Sequence, residues 1–264
     1  MLTKARGNRV ARIFITGSAA GLGLGAALTP LDEGHDVVLH ARTAERAQAL
    51  GGLADRAAGV VVGDLSSGEE TRSLAEQVNR IGRMDAVIHN AGTYLEPARG
   101  TTPEGHAGTL AVNTLAPYLL TALIERPSRL IFVSSGLHRS GGGSLEDIDW
   151  TRRRWNASQA YAESKLYVTA LALAAARRWP GVLSNAVDPG WVPTKMGGPG
   201  APDDLAMGHL TQTWLATSLD PAALTSGGYW HHRTLRAPSA EALDPGLQDR
   251  LVGRLGELTG ISLF

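Results

Sequence analysis

A short apolar segment at residues 10–16 runs directly into a glycine-rich turn, Gly17-Ser18-Ala19-Ala20-Gly21-Leu22-Gly23-Leu24-Gly25. Apolar residues after the turn, among them Ala26 and Leu31, predict a helix. Glycines between a strand and a helix permit a tight bend, and the first N–H groups of the helix can bind a pyrophosphate. The spacing Gly-x-x-x-Gly-x-Gly differs from the commoner Gly-x-Gly-x-x-Gly, so the interpretation depends on the strand before it and the helix after it.

The same alternation continues along the whole chain. Further strands are predicted at residues 36–41, 60–62, 84–89, 130–133, 182–187 and 228–230. Helices are predicted at residues 69–81, 103–124, 166–178, 221–225 and 248–258. Strands alternating with helices predict an α/β fold, with a parallel sheet covered on both faces. Because no linker or internal repeat divides the 264 residues, we expect one domain spanning residues 1–264.

Composition excludes several classes of protein. The 25 acidic residues balance the 25 Lys and Arg residues, so no strong field favours nucleic acid or acidic membranes. The absence of cysteine excludes disulfides and thiolate metal sites, and no metal is expected. Apolar runs stay well short of the roughly 20 residues that cross a bilayer, and residues 1–9 lack a signal-type core. We expect a cytoplasmic protein without membrane or nucleic-acid partners.

Tyr161 and Lys165 stand four residues apart at the start of an Ala- and Leu-rich helical run. Side chains at this spacing share one face of a helix, so the phenol and the ammonium are expected in one pocket. A free phenol has a pKa of about 10, and a nearby cation would lower it. We therefore predict that Lys165 makes Tyr161 a general acid/base near pH 7. The alternative is a tyrosine at the core edge beside a lysine with a solvated head.

The end of the second predicted strand, His40-Ala41-Arg42, bears on which dinucleotide fits. Selection of the unphosphorylated ribose needs an acidic residue there to accept from the 2′-hydroxyl, and none is present. Arg42 carries a guanidinium suited to a 2′-phosphate; the alternative is a solvated arginine at a helix start. Asp64 ends the third strand, where it could accept from an adenine amino group or close the turn.

Two further features concern the region around Lys165. Pro117 lacks an N–H, so the carbonyl of Asn113 loses its helical partner and could hold a water near Lys165; the alternative is a simple kink. Ser135, just after the fifth strand, could donate to a substrate oxygen or cap a loop.

Two long segments are expected to build the substrate pocket. Residues 136–158 predict a structured insertion, in which Arg153 is expected to be solvated. Residues 191–219 predict a mobile lid at the ligand edge of the sheet. Tryptophans in these segments suggest a bulky apolar substrate, although core packing explains most tryptophans; they are Trp150, Trp155, Trp191 and Trp214.

Together these residues resemble the short-chain dehydrogenase/reductase family. The matching stretches follow the family's order: Thr16-Gly17-x-x-x-Gly21-x-Gly23, Asp64-Leu65, Asn90-Ala91-Gly92, Asn113, Ser134-Ser135, Tyr161-x-x-x-Lys165 and Asp188-Pro189-Gly190. The long gap between Ser135 and Tyr161 further resembles the retinol-dehydrogenase-like branch, as do two motifs near the end of the chain, Gly228-Tyr229 and Leu258-Thr259-Gly260.

The resemblance implies a single, doubly wound Rossmann-type domain with a seven-stranded parallel sheet that binds a nicotinamide dinucleotide. It implies that Gly17, Gly21 and Gly23 flank the pyrophosphate, Asp64 the adenine, Asn90 the adenosine ribose, and Pro189 and Thr194 the nicotinamide carboxamide. Further implied cofactor contacts are Ser18, Ala20, Leu22, Leu65, Ala91, Gly92, Gly190 and Val192.

The implied reaction is hydride transfer between NAD(P)(H) and a ketone, aldehyde or alcohol. Ser135 would polarise the carbonyl, Tyr161 would exchange the proton, and Lys165 would hold the nicotinamide ribose. Asn113, through its carbonyl and a water, would complete a proton relay.

Arg42 favours NADP as the cofactor, with NAD as the other candidate. Ala19 and Ala20 leave the glycine turn without the basic residue that many NADP-preferring members carry. Two alternatives of function remain: a dinucleotide-sensing binding protein without turnover, and a non-redox lyase or epimerase. The family also suggests a homodimer or homotetramer.

Overall fold

The computed structural model describes residues 10–94 and 96–264, and the basic segment at residues 1–9 lies outside them. Within the described ranges, one sheet contains eight strands: β1 (Arg12–Ile15), β2 (Asp36–Ala41), β3 (Gly59–Val62), β4 (Ala86–His89), β5 (Arg129–Val133), β6 (Leu183–Asp188), β7 (Tyr229–His231) and β8 (Thr234–Arg236). Their order is β3-β2-β1-β4-β5-β6-β7-β8, and neighbours from β3 to β7 run parallel. The predicted α/β fold is confirmed, and the seven predicted strands lie within two residues of those observed.

Helices connect the strands and cover the sheet. They are α1 (Gly21–Asp32), α2 (Ala44–Gln48), α3 (Gly52–Arg56), α4 (Gly68–Ile81), α5 (Gly108–Leu110), α6 (Ala116–Leu123), α7 (Ala157–Arg178), α8 (Leu205–Thr217), α9 (Ala240–Leu243) and α10 (Pro245–Thr259). A segment of π-helix, Ala111–Leu115, joins α5 to α6, and a 3-10 turn, Gly136–Ser140, follows β5. Within the described ranges, none of these helices combines the length and apolar character needed to cross a bilayer.

The sheet has a separate apolar core on each face. In β1, Phe14 belongs to the core shared with α4, α6, α7 and α10, whereas Ile13 and Ile15 belong to the core shared with α1 and α8. Successive side chains of a strand point to opposite faces, so a strand covered on both sides must be apolar at every position. This explains why the strands appear in the sequence as continuous apolar runs.

The expected strand count was wrong by one, because the chain reverses after β7. His232 and Arg233 adopt positive φ values of 48° and 58°, which turn the chain into a tight hairpin. β8 therefore pairs antiparallel with β7 at the edge of the sheet. The turn also stacks the imidazole rings of His231 and His232, with 3.9 Å between their centroids.

The helix that carries Tyr161 begins earlier than predicted. α7 starts at Ala157, where the Asn156 side chain caps it by accepting a hydrogen bond from the Gln159 N–H at 3.0 Å. Helix α7 is buried from Ala160 to Ala175. Its first turn is therefore fixed before the chain reaches Tyr161.

The helix predicted at residues 103–124 is divided into three pieces. It begins at Gly108, and the π segment Ala111–Leu115 separates α5 from α6. Pro117 follows directly at the start of α6 and cannot donate to the carbonyl of Asn113. A π segment is the usual local response to an interrupted ladder of hydrogen bonds.

The predicted lid at residues 191–219 contains helix α8, which the sequence analysis did not expect. Asp204 caps this helix by accepting from the backbone N–H of Ala206 at 2.6 Å. Its His209 ring packs on α1, where the imidazole meets the Thr29 hydroxyl at 3.1 Å. The helix predicted at residues 221–225 is instead a single turn at residues 221–224, whose N–H groups at Ala222, Ala223 and Leu224 all donate to Asp220.

Candidate active site

A cavity of about 940 Å³ lies at the carboxyl ends of the parallel strands. Residues at or directly after six strand ends line it: Gly17, His40, Asp64, Asn90, Ser134 and Pro189. In open α/β sheets, ligands bind in the crevice at this edge. The topology therefore brings residues that are far apart in the sequence to one binding site.

Most of the predicted site residues line this cavity. They are Gly17, Ala20, Gly21, Leu22, Gly23, Arg42, Asp64, Leu65, Asn90, Ala91, Gly92, Tyr161, Lys165, Pro189 and Thr194. The other five, Ser18, Asn113, Ser135, Gly190 and Val192, lie behind or beside its wall and have different contacts, described below.

The glycine turn is packed so closely that two of its positions exclude a side chain. A Cβ at Gly23 would lie 2.2 Å from the Gly17 carbonyl oxygen and 2.5 Å from Asn90 Nδ2. Gly17 has a φ of +67°, which favours glycine over residues with a side chain. The turn is thus locked against Asn90, whose amide donates to the Thr16 carbonyl at 2.9 Å.

The Ser18 side chain is hydrogen-bonded to β2 and does not line the cavity. Its side chain is buried and accepts a hydrogen bond from the His40 N–H at 2.7 Å. A contact between Ser18 and the cofactor stays a prediction. The small hydroxyl fits in the fully buried space between the turn and the strand.

The ring of His40, which the sequence analysis did not assign to the site, braces the glycine turn. Its Nδ1 accepts from the Gly17 N–H at 2.9 Å, and its Nε2 lies 2.8 Å from the Gly63 carbonyl. A carbonyl can only accept, so Nε2 carries the proton and the ring is neutral. Burial lowers the pKa of His40, in agreement with a neutral ring.

Arg42 and Asp64 form an ion pair at the rim of the cavity. Asp64 Oδ2 lies 2.8 Å from Arg42 Nε and 2.7 Å from a terminal guanidinium nitrogen. Burial opposes ionisation of Asp64, but hydrogen bonds from Ser66 and the pair with Arg42 outweigh it and lower the pKa of the carboxyl. Arg46, which the sequence analysis did not assign, also lines this end. Two guanidinium groups are therefore available here to an anion.

Tyr161 presents a buried phenol to the opposite end of the cavity. The Ser135 side chain is close enough to act on this hydroxyl and to lower its pKa. The ring of Tyr94 packs edge-on against it, with 4.4 Å between centroids. Tyr94 was not predicted as a site residue, because it lies outside any recognisable motif. It shields the phenol from water.

Burial raises the pKa of Tyr161 to about 12, and the nearby Tyr94 and Asp188 contribute in the same direction. The Ser135 side chain acts to lower the pKa of Tyr161, but by less than burial raises it. The predicted lowering of this pKa is wrong for the protein in this structure. The Lys165 ammonium lies 5.6 Å from the centroid of the ring, and its charge does not offset the loss of water around the phenol.

Lys165 is buried beside Gly92 and donates to the Val133 carbonyl at 2.8 Å. Burial lowers its pKa to about 8, while Asp188 acts to raise it. At pH 7 the ammonium is still mainly protonated. A Cβ at Gly92 would approach Lys165 Nζ to 3.5 Å. Glycine at this position leaves the ammonium accessible from the cavity.

Asn113 uses its side chain to fix the segment that follows β4. Its Oδ1 accepts from the Thr93 N–H at 2.8 Å, and its Nδ2 donates to the Thr93 carbonyl and the Ser164 hydroxyl, both at 3.0 Å. The side chain is fully engaged behind the wall. A relay through the Asn113 backbone carbonyl stays a prediction.

The segment after β6 has a tight internal framework. Gly190 has a φ of +82°, and its N–H donates to Asp188 at 3.1 Å. The Val192 side chain is buried, and a Cβ at Gly208 of α8 would meet it at 3.0 Å. Both residues therefore shape the turn that places Pro189 and Thr194 on the cavity wall.

Three of the four tryptophans that suggested a bulky substrate pack against another tryptophan. Trp150 and Trp155 pack edge-to-face inside the insertion, 5.5 Å apart, and Trp214 packs against Trp230. Trp191, at 60% exposure, remains open to solvent.

Arg153, predicted to be solvated, instead holds the insertion onto α7. Its guanidinium binds both carboxylate oxygens of the buried Glu163, at 2.8 and 2.5 Å. Its charge also lies over the Trp150 ring, 3.6 Å from the centroid. Glu163 stands between Tyr161 and Lys165 in the sequence, so this ion pair fixes the insertion to the helix that carries both residues.

The residues present fit a nicotinamide dinucleotide. The glycine turn offers backbone to a pyrophosphate, Arg42 and Arg46 lie at one end, and Lys165 has further N–H groups for a ribose at the other. Among the described residues, no group of three His, Asp or Glu side chains could hold a metal ion.

Comparisons with known proteins agree with this geometry. A family model for short chain dehydrogenase matches residues 11–204. The short-chain dehydrogenase chyC of Penicillium rubens is 42% identical over 257 residues, covering 96% of this chain and 99% of that protein. Human retinol dehydrogenase 13 is 28% identical over 281 residues, covering 94% and 84%, which confirms the predicted resemblance to that branch.

A solved structure of similar fold is a blue fluorescent protein from a metagenomic library, in complex with NADPH. Its TM-score is 0.69 at 20% identity, and the match covers 85% of this chain and 97% of that one. The fold, the order of the motifs and the extent of the sequence match lead to one conclusion. The chain belongs to the short-chain dehydrogenase family of oxidoreductases.

Proposed function

We propose that the protein is an NADP-preferring oxidoreductase that interconverts a ketone or aldehyde and its alcohol, with Tyr161 as the general acid/base. One observation carries the proposal. The Tyr161 phenol, on whose pKa the Ser135 side chain acts, lies in the same cavity as Lys165 and the glycine turn. A proton donor, a cation for a ribose and a pyrophosphate site are thus found together.

A bound nicotinamide dinucleotide would supply the hydride in reduction and accept it in oxidation. Negative charge develops on the substrate oxygen during reduction, and the hydroxyls of Ser135 and Tyr161 can donate to it. With its pKa near 12, the Tyr161 phenol is protonated at pH 7 and ready to act as the acid. Lys165 would hold the ribose and bring positive charge to the phenolate left after proton transfer.

Support for NADP comes from Arg42 and Arg46 at the rim and from the absence of an acid at the end of β2. The Arg42 guanidinium already holds one carboxylate oxygen of Asp64, and a 2′-phosphate would be a second anionic partner. The similarly folded metagenomic protein was solved with NADPH.

Apolar groups around the reacting end support a bulky apolar carbonyl substrate. Met196 lines the cavity and is 42% exposed, and the nearby segment contributes the exposed Trp191. The exposed Leu137 follows Ser135 by two residues. Of these three side chains, Met196 lines the cavity itself, and exposed apolar side chains at a cavity mark ligand-binding surfaces.

The test is NADPH oxidation by the purified protein with a broad panel of ketones and aldehydes. We expect turnover with at least one bulky apolar carbonyl, and a loss of about a hundredfold or more in kcat for Tyr161→Phe. The control is Tyr167→Phe on the same helix, whose hydroxyl donates to the Ser144 carbonyl.

Three outcomes would contradict the proposal. Unchanged turnover in Tyr161→Phe would remove Tyr161 as the acid. Cofactor binding without oxidation across carbonyls and alcohols would favour a dinucleotide-sensing protein. Product formation without a net change in reduced cofactor would favour a lyase or epimerase.

A further inference from the structure

Glu96 places a carboxylate in the wall of the cavity, in the segment between β4 and α5. Its Oε2 is buried and has no hydrogen-bond partner among the residues that the structure describes. Its Oε1 accepts a long hydrogen bond from the Thr93 hydroxyl, at 3.5 Å. Buried carboxylate oxygens normally have partners, because removing them from water without compensation is costly.

The cationic side chains nearest in the sequence are occupied elsewhere. Arg99 donates to the Asp149 carbonyl at 2.6 Å and to the Gly105 carbonyl at 3.0 Å. His106 pairs with the Asp149 carboxylate at 2.6 Å. Neither side chain pairs with Glu96, so within residues 10–94 and 96–264 its buried oxygen is left unsatisfied.

The carboxylate is nevertheless held in place. The Glu96 carbonyl accepts from Trp155 Nε1 at 2.9 Å, which anchors the backbone to the insertion. The carboxylate lies so close to Gly108 that a Cβ there would meet its oxygens at 2.8 and 2.9 Å. A fixed, unsatisfied acceptor in a cavity wall is a pre-organised binding group.

Glu104, in the same segment, is a carboxylate with a structural role, and its hydrogen bonds can be compared with those of Glu96. Its Oε1 accepts from the Gly68 N–H at 2.8 Å and from the Glu69 N–H at 3.3 Å, at the start of α4. Hydrogen bonds of this kind outweigh burial and lower the pKa of Glu104. Among the described residues, no backbone N–H donates to the Glu96 carboxylate.

We propose that Glu96 accepts a hydrogen bond from a ligand in the cavity, and that the ligand group is a hydroxyl or a protonated amine. An ionised carboxylate can only accept, so carbonyl, carboxylate and phosphate groups are excluded at this position. The proposal deepens the proposed function and rests on it for one of two sources. The donor is either a ribose hydroxyl of the dinucleotide or a second polar group on the substrate.

The first measurement is the stability of the free protein, by urea unfolding. Glu96→Gln replaces the carboxylate, whose Oε2 is buried, with an amide of nearly the same shape and removes no hydrogen bond to that oxygen, so the midpoint should stay level or rise. Glu104→Gln, the matched control, loses a capping carboxylate and should lower the midpoint. An equal fall in both variants would show that Glu96 has a structural partner and would overturn the proposal.

The second measurement separates the two sources. Fluorescence titration of NADPH needs no turnover, and a Kd at least tenfold weaker in Glu96→Gln would assign the donor to the dinucleotide. If that Kd is unchanged, kcat/KM is compared for two ketones that differ by one hydroxyl or amino group. A preference for the substituted ketone in the wild type, reduced at least tenfold in the variant, would assign the donor to the substrate.

No change in either quantity would overturn the proposal while leaving wild-type turnover intact. If the wild type oxidises NADPH with no carbonyl, the proposed function fails instead. The role of Glu96 then stands or falls on the NADPH Kd alone, so the two failures are distinguishable.

Discussion

The two ends of the cavity differ in how their polar groups are satisfied. At the end formed by β2 and β3, both ring nitrogens of His40 are hydrogen-bonded and Asp64 pairs with Arg42. At the reacting end, Tyr161 and Lys165 are buried with shifted pKa values, and Oε2 of Glu96 has no hydrogen-bond partner in the described part of the chain. At the first end, protein groups satisfy the hydrogen bonds of His40 and Asp64. At the second end, burial of polar groups costs free energy of unfolding, and a bound ligand can reduce that cost by supplying hydrogen-bond partners. Unsatisfied or strained groups of this kind are typical of functional sites.

The largest effect is expected from Lys165→Met, which removes the buried charge at the reacting end. We expect kcat/KM to fall by about a hundredfold or more, in line with loss of an element of acid–base catalysis. Activity and stability should respond in opposite ways, because the buried ammonium is costly to the fold.

The same variant tests the direction of the Lys165 pKa shift. Its folded pKa of about 8 lies below the unfolded value of about 10.4, so the unfolded chain binds more protons between these pH values. Wild-type stability should therefore rise relative to Lys165→Met between pH 8 and pH 10, as measured by urea unfolding. The control variant is Lys195→Met, because Lys195 is exposed. If the stability of wild type and of Lys165→Met changed in parallel with pH, the lowered pKa of Lys165 would be contradicted.

A smaller loss is expected at the glycine turn, where packing rather than charge dominates. Gly23→Ala brings a Cβ within 2.2 Å of the Gly17 carbonyl oxygen, and overpacking of this kind costs about 1–3 kcal/mol in the free energy of unfolding. The control, Gly253→Ala in α10, meets no atom within 4 Å and should gain roughly 0.5–1 kcal/mol. Equal stability of the two variants would show that the turn can relax.

The smallest effect is expected at the exposed rim. Arg42→Ala should weaken NADPH binding by about tenfold, roughly 1.4 kcal/mol, and leave NADH binding nearly unchanged. Titration of both cofactors against Arg42→Ala and the control Arg56→Ala, whose guanidinium pairs with Asp32, measures this difference. Equal losses for NADPH and NADH would show that Arg42 does not recognise the 2′-phosphate.

The parts of the site that could be predicted are those set by local periodicity. The four-residue spacing of Tyr161 and Lys165 placed both side chains on one cavity wall, because helix geometry depends on spacing alone. The strand ends were predictable for the same reason, and parallel topology then brought Gly17, Asp64 and Asn90 to one edge.

Features set by contacts between distant segments could not be predicted. The direction of the Tyr161 pKa shift depends on burial and on Tyr94, which is 67 residues away in the sequence. The role of Ser18 depends on its fit against β2. Helix α8 was missed because the capping Asp204 follows a segment rich in Gly and Pro, which suggested a loop.

The carboxamide of Asn113 pairs with both backbone groups of Thr93, much as a neighbouring strand would. The chain leaving β4 is therefore clamped next to Lys165 before it enters the irregular stretch at residues 97–106. Changes of length in that stretch can therefore alter the shape of the pocket mouth while Tyr161 and Lys165 keep their positions. The clamp thus makes the position of Thr93 beside Lys165 independent of the path that the chain takes at the pocket mouth.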